Sequence, residues 1–154
     1  LVQDFCLPKE AILEFLQFVN DALRIYPLWL CPLRPAGQLE RLCPNYLQSG
    51  LVINVGVWGK VDADYFRFIQ VNRSVENKVM ELRGRKVLYA HAYYPRDEFW
   101  KIYDHEWYDA LRSKYFARSV FPDIYDKTKV VERYKPSIFV GIWKALRSSK
   151  LPIS

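Results

Sequence analysis

Residues 8–26 constrain the fold more than any other stretch. Ile12, Phe15, Leu16, Val19, Ala22, Leu23 and Tyr26 recur at helical spacing behind Pro8, which suits a first turn. A helix with one apolar stripe must lay that stripe on a second layer. The flanking text supplies strands for such a layer. Residues 2–7 are strand-like, and LWLCPL at 28–33 is a short apolar strand. A loop rich in Pro, Gly and Asn occupies 34–50. LVINVGVW at 51–58 then alternates: Leu51, Ile53, Val55 and Val57 share one face, and Val52, Asn54, Gly56 and Trp58 share the other.

The second half repeats the plan. Val75, Val79 and Leu82 mark a helix near 72–83, closed by Gly84. KVLYAHAYY, 86–94, predicts a further strand. Pro95 leads a helix with Asp97 and Glu98 in its first turn, where the helix dipole favours acids. Asp104 can cap another helix that buries Trp107, Leu111 and Tyr115. The order β-α-β-β-α-β predicts an α+β fold. Its form is the ferredoxin-like split βαβ: an antiparallel sheet, helices on one face and extra C-terminal helices.

The strand over 86–94 has an unusual composition. Extended, it would point Val87, Tyr89, His91 and Tyr93 one way and Leu88, Ala90, Ala92 and Tyr94 the other. Two hydroxyls and an imidazole in a row suit a solvated face, and equally a ligand site covered by another domain. Asn54 and Trp58 could share that face. Phe99, Trp100, Tyr103 and Trp107 read as core from their spacing, and His105 as the first turn of an exposed helix.

Charge and cysteines exclude several classes. Residues 1–126 hold 16 Lys/Arg against 16 Asp/Glu, whereas 127–154 hold 7 against a single acid, Glu132. The globular part therefore gives no electrostatic argument for nucleic acid. Cys6, Cys31 and Cys43 are odd in number and form no CxxC, which argues against a disulfide framework and a zinc site. A His91/His105 pair lacks metal-ligand spacing, so no metal is expected. A reducing compartment fits. A chain that opens on strand-like text, without Met or leader, reads as a segment of a longer protein.

Several longer stretches carry a resemblance. YPLWLCPLR (26–34), INVGVWG (53–59), LYAHAYYPRDEFWKIYD (88–104), YDALRSKY (108–115) and FPDIYDK (121–127) resemble the C-terminal part of the delta(24)-sterol reductase family, the seladin and Diminuto/Dwarf group. The match weakens after about residue 130. The resemblance implies that residues 1–126 are a cap or substrate domain. It would lie over an upstream FAD-binding domain like that of vanillyl-alcohol oxidase, and caps of that class have ferredoxin-like sheets. It implies a sterol as substrate, NADPH as reductant and the cytosolic face of the endoplasmic reticulum membrane as location. No GxGxxG or other phosphate-cradling loop occurs in the chain, so FAD would be held mainly by the missing domain.

Reduction of an isolated alkene needs a positioned proton donor. Tyr89, His91 and Tyr93 are the candidate catalytic residues, one of them donating or orienting the proton. Asn54 and Trp58 would line the same pocket. Lys60 could reach flavin or phosphate, and Glu98 could orient a tyrosine or the histidine. An alternative keeps the flavoenzyme cap but makes it an oxidase of another lipid or small alcohol. A further alternative is a non-enzymatic binding module. RNA binding through the sheet is disfavoured, because LVINVGVW lacks the basic-Gly-aromatic pattern.

Residues 127–154 read as a basic tail with an amphipathic helix. Phe139, Ile142, Trp143 and Leu146 fall on one helical face of SIFVGIWKALRSSK (137–150), with Lys144 and Arg147 outside it. Such a helix can lie on an anionic membrane surface, fill a calmodulin-like groove, or dock on its own domain.

Overall fold

A computed structural model describes residues 1–46 and 50–130. The segment holding Phe139, Ile142, Trp143, Lys144, Leu146 and Arg147 lies outside these described residues.

The expected order is present. β1 (Val2–Pro8) passes through a short 3-10 turn into α1 (Ile12–Ala22). β2 (Trp29–Leu33), β3 (Val52–Trp58), α2 (Tyr65–Glu81) and β4 (Arg85–Lys86) follow, then α3 (Arg96–Ile102), α4 (His105–Lys114) and α5 (Ile124–Thr128). The four strands form one sheet in the order β2-β3-β1-β4, with every pairing antiparallel. This is the split βαβ arrangement: each helix crosses between strands that have another strand between them.

Alternation along the two central strands sets the layers. Phe5, Leu7, Val55 and Val57 meet Phe15 and Val19 of α1 and Val75 and Val79 of α2 in the main core. Both helices therefore cover the same face. A smaller cluster of Ala92, Tyr94, Phe99 and Tyr103 gathers α3 and α5 beside it, with Ile124 and Tyr125 packed against it.

Several boundaries differ from the sequence reading. α1 spans 12–22 rather than 8–26, because Arg24 sits at a φ of 53° and ends the helix. α2 begins at Tyr65, seven residues before the expected start near 72, where the Asp64 carboxylate accepts from the Arg67 amide at 2.8 Å. The left-handed residue closing α2 is Arg83, with a φ of 57°, not Gly84. Gly84 serves close approach instead: a Cβ there would lie 2.8 Å from the Cys6 carbonyl oxygen.

Asp104 caps α4 as expected, accepting from the Trp107 amide at 2.9 Å. The helix does not bury its apolar residues, however. Trp107 is half-buried, and Leu111 and Tyr115 are exposed.

The largest departure is at 86–94. Only Arg85 and Lys86 pair with β1. The Val87 amide makes one more bond, to the Asp4 carbonyl at 2.9 Å, and the chain then turns. Lys86 causes the departure. It pairs opposite the core residue Phe5, so its ammonium points under α2, fully buried. There it donates to Glu76 Oε1 at 2.7 Å and to the carbonyl of His91. Reaching that position requires residues 88–91 to curl back. The Tyr93 amide then donates to Glu76 Oε1 at 2.9 Å, and the Ala92 amide to the Thr128 carbonyl at 2.8 Å. A buried charge must find partners, and here that need overrides β propensity.

Candidate functional site

The sheet face away from α1 and α2 carries a polar cluster. Strand register places Asp4 and Trp29 opposite Gly56, and Cys6 and Cys31 opposite Asn54. Gly56 makes the close arrangement possible. A Cβ there would lie 3.0 Å from Asp4 Oδ1, 3.1 Å from Trp29 Cβ and 3.2 Å from Trp58 Cε2.

Asp4 is the centre of the cluster and only 5% exposed. Its Oδ1 accepts from Asn54 Nδ2 at 2.9 Å, and its Oδ2 accepts from Trp58 Nε1 at 2.8 Å. The Tyr89 hydroxyl donates to the same Oδ2. Asn54 Oδ1 in turn accepts from the Cys6 thiol at 3.5 Å. Burial, then the Asp4 charge, push that thiol up to about 12, so Cys6 is a filler and not a nucleophile. Partial desolvation of the Tyr89 hydroxyl, then its bond to Asp4, push it up to about 12 as well. Trp29, Trp58 and Tyr89 remain largely exposed above the carboxylate. The result is an aromatic surface in which the polar atoms of Trp58 and Tyr89 are tied down underneath.

Three of the residues singled out from sequence, Asn54, Trp58 and Tyr89, thus come together. The others do not join them. Tyr93 packs on the helix side, its ring centroid 6.3 Å from that of Phe68 and its face 5.3 Å from the Lys86 ammonium; burial pushes its hydroxyl up to about 12. His91 has an exposed side chain and contributes its carbonyl, which accepts from Gln3 and Lys86. Tyr89, His91 and Tyr93 therefore do not form one strand face. Glu98 binds Arg73 at 2.7 Å rather than a tyrosine or histidine. Lys60 stands exposed two residues beyond β3 and makes no hydrogen bond to the cluster. Asp4 and Trp29 were missed by the sequence reading. The available signal was the one acid in the mostly apolar strand VQDFCLP.

The described residues do not fit a dinucleotide. A pyrophosphate needs free amides at a helix N-terminus or in a glycine-rich turn. Here Asp64, Asp104 and Asp123 each take one such amide at α2, α4 and α5 and set a carboxylate beside the others. The first turns of α1 and α3 carry Glu14 and Asp97 with Glu98, which would repel phosphate. Among the described residues, no three His, Cys, Asp or Glu side chains are placed to hold a metal ion. No described helix is long and apolar enough to cross a membrane.

Fold and site together define an α+β sheet domain that covers one face with helices and leaves a polar aromatic face open. Comparison with known proteins supplies the family. The chain is 32% identical over 127 residues to the delta(24)-sterol reductase of Homo sapiens, an overlap of 82% of this chain and 25% of that protein. It is 28% identical over 127 residues to the delta(24)-sterol reductase homologue of Caenorhabditis elegans, covering 82% of this chain and 24% of the other. The enzyme of Arabidopsis thaliana is 24% identical over 146 residues, with 84% and 26% covered. The chain belongs to the delta(24)-sterol reductase family, and it spans about a quarter of the length of these relatives. No family model matches the chain, and no solved structure matches it.

Proposed function

We propose that this chain is the substrate-covering part of an FAD-dependent, NADPH-using reductase of the side-chain (delta-24) double bond of a sterol. Its similarity to the sterol reductases supports the reaction class. The observation that carries the role of this segment is the open sheet face, where Asp4 ties Asn54, Trp58 and Tyr89 into one surface. Such a face offers flat apolar area and fixed polar edges, which suits a ligand that is mostly hydrocarbon. FAD and NADPH belong to parts of the full-length protein outside this chain. The contribution of these residues is to bind, orient and exclude water.

The deciding experiment uses the full-length protein, reduced anaerobically with NADPH. Adding a side-chain-unsaturated sterol re-oxidises the flavin absorbance under this reading. No response to sterol together with rapid re-oxidation by air replaces the reductase with an oxidase of another lipid or alcohol. The reading also places the protein on the cytosolic face of the endoplasmic reticulum membrane, with residues 137–150 at the membrane or in a calmodulin-like groove. Liposome co-sedimentation with and without residues 136–154 tests the membrane contact; equal binding by both forms refutes it.

A further inference from the structure

Tyr89 sits on the open face with its proton already committed. The Tyr89 hydroxyl donates to Asp4 Oδ2, and its lone pairs are what it has left to offer. Trp58 Nε1 is held the same way, at 2.8 Å from the same oxygen. Asp4 is buried beneath these two rings, whereas Trp58 is 49% exposed and Tyr89 60% exposed. A ligand on this face would meet the rings and the phenolic oxygen, not the carboxylate.

We propose that Asp4 is a positioning residue that turns Tyr89 into a hydrogen-bond acceptor, so that this face recognises a ligand through a hydroxyl group the ligand donates. The inference rests on the reading of the open face as a substrate surface and deepens it. It assigns Tyr89 to binding and removes it from the candidates for proton donor. A tyrosine whose proton points into a buried carboxylate is not aimed at an alkene on the other side. The preference is for an alcohol over its ether, because only the alcohol has a proton to give.

The test uses full-length protein carrying Tyr89→Phe or Asp4→Asn. Two substrates are compared: a side-chain-unsaturated sterol and the same sterol with its hydroxyl methylated. The unmodified protein should show a KM about three- to tenfold lower for the alcohol at similar kcat, the size of one neutral hydrogen bond. Tyr89→Phe should abolish that difference while kcat stays within about twofold. Asp4→Asn should shrink it, because Trp58 Nε1 can only donate and so keeps the amide oxygen toward Trp58 and Tyr89, where a neutral oxygen holds the phenolic proton less strongly than a carboxylate does. A collapse of kcat at unchanged KM in Tyr89→Phe would make Tyr89 the proton donor and overturn the inference. So would an alcohol preference that survives in Tyr89→Phe or is undiminished in Asp4→Asn.

If the unmodified protein turns over no sterol, it is the reductase reading that fails, and the role of Asp4 is decided by tyrosine titration. Ultraviolet difference titration should then show one tyrosine falling from about 12 toward its ordinary value in Asp4→Asn. That same tyrosine should be missing in Tyr89→Phe. An unchanged titration in Asp4→Asn refutes the positioning role. Should Asp4→Asn fail to fold, Tyr89→Phe alone still decides the alcohol preference.

Discussion

Lys86 and Glu76 show what one buried pair can do. Both side chains are essentially inaccessible, and their contact is 2.7 Å. Burial holds the Lys86 ammonium below its ordinary value even with Glu76 beside it. Glu76 also accepts from Arg73 at 3.2 Å and from the Tyr93 amide at 2.9 Å. Removing the carboxylate would strand a charge and an amide together. Glu76→Ala should therefore lose about 3–5 kcal/mol of stability. Replacing the pair by Glu76→Leu with Lys86→Met should cost less than the single change, since no charge is left unpartnered. Urea denaturation of both variants checks the order; equal losses would mean that the pair does not hold segment 88–94 in place.

Among the secondary elements, the caps and close contacts carry the testable energetics. Asp104 accepts from the Trp107 amide at 2.9 Å and from Arg41 Nη1 at 2.8 Å. These bonds hold its carboxyl below the ordinary carboxylate value. The stability it contributes is thus present above the ordinary value and lost as pH falls through the lowered one. Asp104→Ala should cost about 1 kcal/mol. Asp104→Asn, which keeps the cap oxygen, should cost less, and denaturation at neutral pH separates the two. Gly84→Ala addresses a different contact. The new Cβ would lie 2.8 Å from the Cys6 carbonyl oxygen and 3.0 Å from Leu7 Cγ and Val79 Cγ1. Neither strand nor helix can yield freely there, so a loss of about 1–3 kcal/mol is expected. A thermal melt within a degree of the unmodified chain would show that β1 and α2 can separate at that point.

For the molecule as a whole, alkaline pH is the informative variable. Cys6, Tyr89 and Tyr93 are all held up to about 12, and Tyr94 and Tyr103 are raised by burial as well. A group whose folded value exceeds its unfolded one keeps its proton in the folded state while the unfolded chain loses it. Stability is then full below the unfolded value and falls as pH rises toward the folded one. The thiol starts this loss above about 9 and the tyrosines above about 10. Lys86 works in the opposite direction, since burial lowers its value, and so does the Leu1 amine, which acts near pH 8; the raised thiols and hydroxyls, the Cys43 thiol among them, outnumber these two above pH 9. Thermal melts from pH 8 to 12 should show a steady midpoint that drops from about pH 9 upward. A midpoint that stayed level to pH 12 would contradict the buried hydroxyls and thiol.

Local periodicity reached far into this fold because its signals are short-range. Ile12, Phe15 and Val19 declare a helix within two turns, and Ile53, Val55 and Val57 declare a strand within five residues. Element type, order and the one-sided sheet followed from such patterns. They also singled out Asn54, Trp58 and Tyr89, because polar and aromatic residues interrupt otherwise apolar alternation. What the patterns could not hold was partnership across the chain. Asp4 meets Tyr89 across 85 positions, and Gln3 meets Asn72 across 69. In sequence Asp4 is one acid in a strand, and KVLYAHAYY is good strand text. The tertiary structure decided both cases by the same physics: a buried carboxylate gathered the donors the sheet brought within reach, and a buried ammonium drew its own segment out of the sheet to find an acceptor.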